Sequence, residues 1–237
     1  AQGESCDIAR AKVLSFTRTL NMQYGILHRI CTIELANKYQ LTLESTRFVS
    51  IVDTEIGAIQ YKITAVNTDI PLEITSFITS DVHNEDSNYN ETFWEPVAQI
   101  QKDAHAILVD RTKKTPYNVP VFTLATGMNN SLYTTDNSSI QTQVTSKERK
   151  LSEHAQIVLQ KGKTLVIEKI ATQVSSLHYT ENELSGIAKM RLATASQKGF
   201  EMLYKEHTQA WENKWKLSDI RIEGDVAAQQ GIRFSIF

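Results

Sequence analysis

The sequence predicts a mainly β chain, an antiparallel sandwich of two packed sheets followed by a long α-helix. Three observations predict it. From Val13 to about Ser176, apolar residues recur with period two and are dense in Val, Ile, Thr, Phe and Tyr, the composition of pleated, half-buried strands. Connections such as Gln23-Tyr24-Gly25, Ala36-Asn37-Lys38 and Lys161-Gly162-Lys163 are of hairpin length, whereas parallel neighbours require crossover helices. After Ser176 the period changes to that of a helix.

Taken in order, the expected strands are residues 12–20, 25–35, 39–52, 57–67 and 72–79, then 104–112, 119–126, 154–159 and 164–172. Within residues 40–47, Leu41, Leu43 and Ser45 alternate with Thr42, Glu44 and Thr46, so one face is buried and one solvated. About nine strands in roughly 165 residues suit a large two-sheet sandwich. Two longer connections stand out: residues 81–101, rich in Asn and acids around Phe93-Trp94, and residues 127–142, rich in Asn, Ser and Thr.

From about residue 183 to 216 the chain reads as one helix. Phe200, Leu203, His207, Trp211 and Trp215 fall three or four residues apart on one stripe, with Ile187, Leu192 and Ala195 on earlier turns. About 30 residues at 1.5 Å each span roughly 45 Å. Asp219 ends this helix, and Gly224-Asp225 offers a short carboxylate at the N-cap of a second one. That second helix carries Val226, Ile232, Phe234, Ile236 and Phe237 on nearly every side, and a helix so apolar belongs inside a larger domain.

The 237 residues are 41% hydrophobic and 22% charged, the balance of an ordinary globular protein. Twenty-five Lys and Arg against 27 Asp and Glu give a net charge of −2, which supplies no basic field for nucleic acid or an anionic membrane. Cys6 and Cys31 form no CxxC pair, so neither a disulfide framework nor a metal site is expected. The first residues carry no basic and apolar leader, and no run is long enough to cross a bilayer, so a cytoplasmic protein is expected. The sequons at Asn90, Asn129 and Asn137 are then incidental.

No constellation reads as a catalytic centre. Asp219, Glu223 and Asp225 are the nearest thing to a carboxylate cluster, and paired carboxylates are what attack on a glycosidic bond needs. Helix termination and capping account for them more simply. His28, His83, His105, His154, His178 and His207 are scattered without metal spacing, and His207 on the aromatic stripe reads as a packed histidine. Residues 84–96 hold amides, carboxylates and the aromatic platforms Tyr89 and Trp94, the ingredients of a sugar-contacting loop. The plainer reading has Phe93 and Trp94 plugging a neighbouring surface. With nine glycines there is no Gly-rich phosphate loop.

Several colinear stretches nevertheless resemble glycoside hydrolase family 65, the maltose, trehalose and kojibiose phosphorylase family. They are Phe16-Thr17-Arg18-Thr19-Leu20-Asn21-Met22 with Gly25-Ile26-Leu27-His28-Arg29, Glu44-Ser45-Thr46-Arg47-Phe48-Val49-Ser50, Gly57-Ala58-Ile59-Gln60-Tyr61-Lys62-Ile63-Thr64, Phe93-Trp94-Glu95, and the terminal run 218–237.

The resemblance implies a galactose-mutarotase-like β-supersandwich at residues 1–178, entered partway so that its first strands are missing. It further implies a helical linker at 179–224, and at 225–237 the first helix of an (α/α)6 catalytic barrel that lies beyond this sequence. Members invert configuration: phosphate attacks the anomeric carbon, a glutamic acid protonates the leaving oxygen, and β-glucose 1-phosphate is released. The implied parent is a glycosyltransferase-type phosphorylase, maltose phosphorylase foremost, and this region alone is expected to be inactive. No catalytic, substrate-binding, cofactor or metal residue is therefore assigned, and no cofactor is expected beyond phosphate as co-substrate. The expected partners are the protein's own barrel, an α-linked glucose disaccharide with phosphate in the parent, and a second copy in a homodimer. A stand-alone carbohydrate-binding module, or the same region of an α-glucoside hydrolase such as trehalase, is the alternative.

Overall fold

The computed structural model describes residues 6–83, 92–102, 105–136 and 138–237. Among them run β1 (Lys12–Asn21), β2 (Ile26–Glu34), β3 (Gln40–Val49), β4 (Ile56–Ala65), β5 (Ile70–Thr79), β6 (Trp94–Lys102), β7 (His105–Thr112), β8 (Thr123–Thr134), β9 (Gln143–Lys147), β10 (Lys150–Leu159) and β11 (Thr164–Ser175). A short 3-10 turn at Glu181–Glu183, opened by a Thr180–Glu183 capping box, leads into α1 (Leu184–Ser218), and α2 (Val226–Ile236) follows. Nine strands were expected from the sequence and eleven are present among the described residues.

Every paired strand is antiparallel to its neighbour. One sheet has eight strands in the order β1-β2-β3-β4-β11-β8-β7-β6, and the second has three, β5-β10-β9. The chain lays down β1–β4 as a meander and crosses to the small sheet for β5. It returns for the second meander β6–β8, crosses again for β9 and β10, and closes the large sheet with β11 between β4 and β8.

Strand alternation decides what covers each face of the large sheet. In β11, Leu165 and Ile167 point to the small sheet, where they join Cys31, Ile33, Leu41, Leu43, Ile70 and Leu159. Ile170 and Val174 point the other way and pack with Ile56, Ala125 and Val109 against Leu184, Ala188 and Leu192 of α1. The molecule therefore has three layers: helix, eight-stranded sheet and three-stranded sheet. Between the sheets, Lys169 Nζ donates to the Phe77 carbonyl at 2.6 Å and Ser76 bonds Asn130 at 2.8 Å. Burial pushes the Glu153 carboxyl up and the Lys169 ammonium down in this layer.

Four sequence expectations are corrected. β6 occupies part of the presumed connection 81–101, and its Pro96 hid it. Pro is tolerated there because β6 is an edge strand with a bulge between Pro96 and Ala98. β8 runs on through Asn129, Asn130 and Ser131, expected as loop, because Asn130 is satisfied by Ser76 across the layer. β9 and the start of β10 were missed because β9 is wholly exposed and lacks alternation. The long helix is also interrupted: Gly199 has φ 71° and ψ 173°, which only glycine adopts readily. The buried stripe shows why, since Ala195 to Phe200 is a step of five residues, too long to stay on one face of an unbroken helix. Expected strand residue Ala104, Tyr89 of the sugar-loop reading and the sequon residues Asn90 and Asn137 lie outside the described residues.

Candidate functional site

The densest convergence of side chains from separate elements lies where the C-terminal half of α1 rests on the turn between β1 and β2. Gly25 sits in that turn at φ 63°, and a Cβ there would lie 2.1 Å from Trp211 Nε1, so the turn must be bare for the indole to seat. One turn back on the helix, His207 is 1% exposed and stacks on Phe48 at 4.5 Å between ring centres. The Ile51 N–H donates to its Nδ1 at 3.3 Å, which leaves the proton on Nε2 to donate to the Gly25 carbonyl at 3.1 Å. One turn on, Trp215 Nε1 donates to the Met22 carbonyl at 3.0 Å. Nearer the start of α1, Arg191 reaches Glu55 at 3.0 Å and Asp53 at 3.5 Å, clasping the helix to the turn between β3 and β4.

Burial holds the His207 imidazole below its ordinary value of 6.5, although its bond to Gly25 favours the proton. The sign follows: the unfolded chain takes up the proton first, so the neutral packing is fully present above about pH 6.5 and its contribution is lost as pH falls through the folded value. Thermal unfolding followed from pH 7.5 to pH 5 should show a declining midpoint, and His207→Gln should flatten that decline. An equal decline in both proteins would exclude His207 as its source.

The three carboxylates of the sequence reading separate into different roles. Asp219 closes α1 and binds Arg233 of α2 through two 2.8 Å hydrogen bonds. The Arg233 bond holds the Asp219 carboxyl below its usual range, which denies it the proton a general acid would need. Asp225 caps α2 by accepting from Ala228 N at 2.9 Å. Glu223 is exposed, with no partner among the described residues. Between Asp219 and Asp225 the chain is pinned by one side chain: Gln229 Nε2 donates to the Ile220 carbonyl at 2.8 Å and its Oε1 accepts from Ile222 N at 2.7 Å. Phe237 then stacks on Trp211 at 4.9 Å. A groove of about 580 Å³ remains between the β1–β2 turn and this junction, lined by Thr19, Asn21, Gln23, Trp215, Arg221 and Arg233.

The remaining candidates are dispersed. His28 meets Glu44 at 3.2 Å, His83 lies 3.8 Å from Asp81, and His154 bridges Thr75 and Thr145 across the small sheet. His105 lies in β7, and His178 follows β11, where its N–H donates to the Ser175 carbonyl. Among the described residues no three His, Cys, Asp or Glu gather as a metal site, and Cys6 and Cys31 form no disulfide. Trp94 stands edge-on to Phe122 at 5.4 Å, so it packs as a plug rather than as an open platform. One cluster escaped the sequence: Glu168 accepts from Gln60 and from the Tyr133 hydroxyl, both at 2.9 Å, and burial with Glu168 pushes Tyr133 up to about 12. Gln60 and Glu168 are cross-strand partners, which shows only once β4 is known to pair with β11.

The arrangement thus binds two helices and a sheet to one another. Comparison with known proteins gives it a context. The profile of the glycosyl hydrolase family 65 N-terminal domain matches residues 1–214. The chain belongs to glycosyl hydrolase family 65. This family 65 chain is 31% identical over 235 residues to maltose phosphorylase of Bacillus subtilis, and 27% identical over 243 residues to α,α-trehalose phosphorylase of Thermoanaerobacter brockii. Each alignment covers 99% of the chain and 30% of the relative, so the chain spans about a third of the length of the relatives it matches. A solved structure from the human microbiome, assigned as a kojibiose phosphorylase, superposes with a TM-score of 0.84 at 21% identity, covering 98% of this chain and 29% of that one. That likeness establishes the fold. The relatives are family 65 phosphorylases, which places the chain in a family of carbohydrate-active enzymes.

Proposed function

We propose that this chain is the non-catalytic N-terminal region of an inverting disaccharide phosphorylase, with maltose as the substrate of the whole protein. The observation that carries the reading is the identity to maltose phosphorylase over 99% of the chain, joined to a junction whose Asp219, Arg233, Gln229 and Trp215 are engaged in holding the helices in place. In the whole enzyme a phosphate oxygen would bond to the anomeric carbon as the glycosidic bond breaks. The departing oxygen takes a proton, and glucose and β-glucose 1-phosphate result. Phosphate fills the place of the activated water, so no cofactor is called for.

The proposed organisation is a sandwich at 1–178, a linker at 179–224, and at 225–237 the first helix of a catalytic barrel. Support for the last comes from α2, whose Val226 and Phe234 are 86% and 66% exposed, a surface suited to further helices. The partners proposed are this barrel, the disaccharide with phosphate, and a second copy. A cytoplasmic location agrees with two cysteines that form no disulfide. The isolated chain is inactive on this reading.

The test uses both proteins. The parent should consume maltose only when phosphate is present, releasing glucose and β-glucose 1-phosphate, and phosphate-independent hydrolysis would overturn the assignment. Calorimetric titration of this chain with maltose, glucose or phosphate should give no saturable heat. Saturable binding abolished by Trp94→Ala would instead identify a carbohydrate-binding module.

A further inference from the structure

At the end of the sandwich where β9 turns into β10, three polar atoms converge without a partner. Asp110 lies on β7 on the same side as Ala106 and Leu108, which pack between the sheets with Ile78, Met128 and Leu151. It is 7% exposed, and its Oδ1 is buried without a hydrogen bond. Ser80, just past β5, is 9% exposed with a buried, unbonded Oγ, and the buried Nε of Arg149 in the β9–β10 turn is equally unmet. The three residues line one cavity of about 200 Å³, walled on its other side by residues 96–99 of β6. A buried polar group left unmet is costly, so their convergence calls for an occupant.

The walls are fixed by the surrounding hydrogen bonds. Arg149 stands at φ 58°, a conformation that few residues with a side chain adopt. It is held there because its carbonyl accepts from Ser80 N at 3.0 Å and from Thr79 Oγ1 at 3.1 Å, while its Nη2 donates to the Ser80 carbonyl. Its Nη1 reaches Asp81 at 3.6 Å, which leaves Nε for the cavity. On the facing wall, Gln99 Nε2 donates to Ser146 Oγ at 2.6 Å and to the Lys147 carbonyl at 2.7 Å, tying β6 to the β9–β10 turn. The bulge between Pro96 and Ala98 bends the edge strand beside Asp110.

The chemistry of the lining selects among occupants. Among the described residues along it, Asp110 and Glu148 are acids and Arg149 is the one base, already shared with Asp81, so phosphate or a lone carboxylate is repelled. Burial pushes the Asp110 carboxyl up; the Ser80 hydroxyl and the Arg149 guanidinium ease its charge without completing a hydrogen bond to Oδ1. A cation brought to Oδ1 offsets that burial. A metal ion or a plain amine, however, leaves the Arg149 Nε–H unmet, because that group needs an acceptor. The cavity is also smaller than the roughly 300 Å³ at which pockets for drug-sized ligands begin, so the occupant is short. We propose that this cavity binds a small primary ammonium with an oxygen on the neighbouring carbon, as in a 1,2-amino alcohol or an α-amino acid. The ammonium donates to Asp110 Oδ1 and Ser80 Oγ, and the oxygen accepts from Arg149 Nε. The site is remote from the junction of α1 and α2 in sequence and independent of the phosphorylase reading.

The experiment is calorimetric titration of this chain, in an amine-free buffer, with ethanolamine and with glycine. At least one should saturate, with a Kd on the order of 1 mM for so small a ligand. Saturation by ethanolamine alone identifies an amino-alcohol site, and saturation by glycine an amino-acid site. Ethylammonium lacks the oxygen and ethylene glycol lacks the ammonium, so each should bind about tenfold more weakly or not at all. Glucose and phosphate bring no ammonium and stay silent. Asp110→Asn should weaken binding about tenfold, and Arg149→Lys, which keeps the charge but removes Nε, should reduce the better probe to the level of ethylammonium. Circular dichroism checks that each variant folds, and Ser80→Ala, which removes one acceptor of the ammonium, takes the place of either that does not. No heat from ethanolamine or glycine, the result if ordered water alone fills the cavity, overturns the proposal. So does ethylammonium binding as tightly as the better probe, or undiminished binding by the folded variants.

Discussion

Replacing Leu192 by Ala should destabilise the chain by about 3 kcal/mol, within the roughly 2 to 5 kcal/mol that buried Leu→Ala changes cost. Leu192 is fully buried at the centre of the contact between α1 and the large sheet. Its Cδ1 stands 2.6 Å from where a Cβ of Gly127 would be, and Thr172 and Ile107 close the sides of the same hollow. Gly127 is thus the socket that the end of Leu192 enters. The sheet beneath is hydrogen-bonded in both directions and cannot collapse into the void, so the cavity term is paid in full. For a chain of this size each kcal/mol shifts the melting temperature by roughly 2 to 4 °C. Circular dichroism should therefore show a fall of about 6 to 12 °C. Leu217→Ala, at a position 92% exposed, serves as the comparison and should stay within about 0.5 kcal/mol of the parent sequence. Similar melting for the two variants would mean that α1 is not anchored at Leu192.

Gly25→Val should be nearly as damaging, through a different mechanism. A β-branched residue at φ 63° carries backbone strain of about 1 to 3 kcal/mol, and the overlap with Trp211 adds a similar amount. The turn would have to move, and the bond from His207 Nε2 to the Gly25 carbonyl would move with it. Tryptophan emission should shift to the red as Trp211 and Trp215 leave their seats, alongside a lower melting temperature. Gly162 separates the two causes: its φ is 77°, yet nothing lies within 4 Å of its missing Cβ. Gly162→Val should show the strain alone, with unchanged emission. If both variants behaved alike, the seat of Trp211 on Gly25 would contribute nothing.

Period two revealed β2–β5, β7, β10 and β11 because those strands have one buried face, as in Leu41, Leu43 and Ser45 of β3, whereas β1, exposed along its whole length, was legible from its Val, Phe, Thr and Leu content. It failed for β6 and β9, edge strands whose two faces differ little in exposure, so burial imposes no alternation on them. The aromatic stripe of α1 was legible for the same reason that β3 was, and Asp225 declared its cap through local chemistry. Gly199 was not legible, since a glycine inside a helical pattern carries no sign of its dihedral angles until the register of its buried neighbours is compared. The pairing of Asp219 with Arg233 and the cavity at Asp110 depend on which segments meet, a property of topology rather than of any window of sequence. The functional reading came from colinear resemblance and not from a site, because the residues that converge at the junction are there to hold elements together.

The late position of β11 sets an order for folding. β1–β4 and β6–β8 are two meanders of local hairpins, but the large sheet becomes continuous only when β11 pairs Ile56 with Thr172 on one side and Thr126 with Gln173 on the other. During synthesis the two halves must wait for residue 175 to leave the ribosome, with the inner edges of β4 and β8 unpaired until then. α1 follows at once and lands on β11 and β8, sealing the strand that has just closed the sheet. Loop closure over so many residues makes this step slow relative to hairpin formation. The helix that seals the sheet is thus made directly after the strand that closes it, so the two steps follow one another in the chain as they do in space.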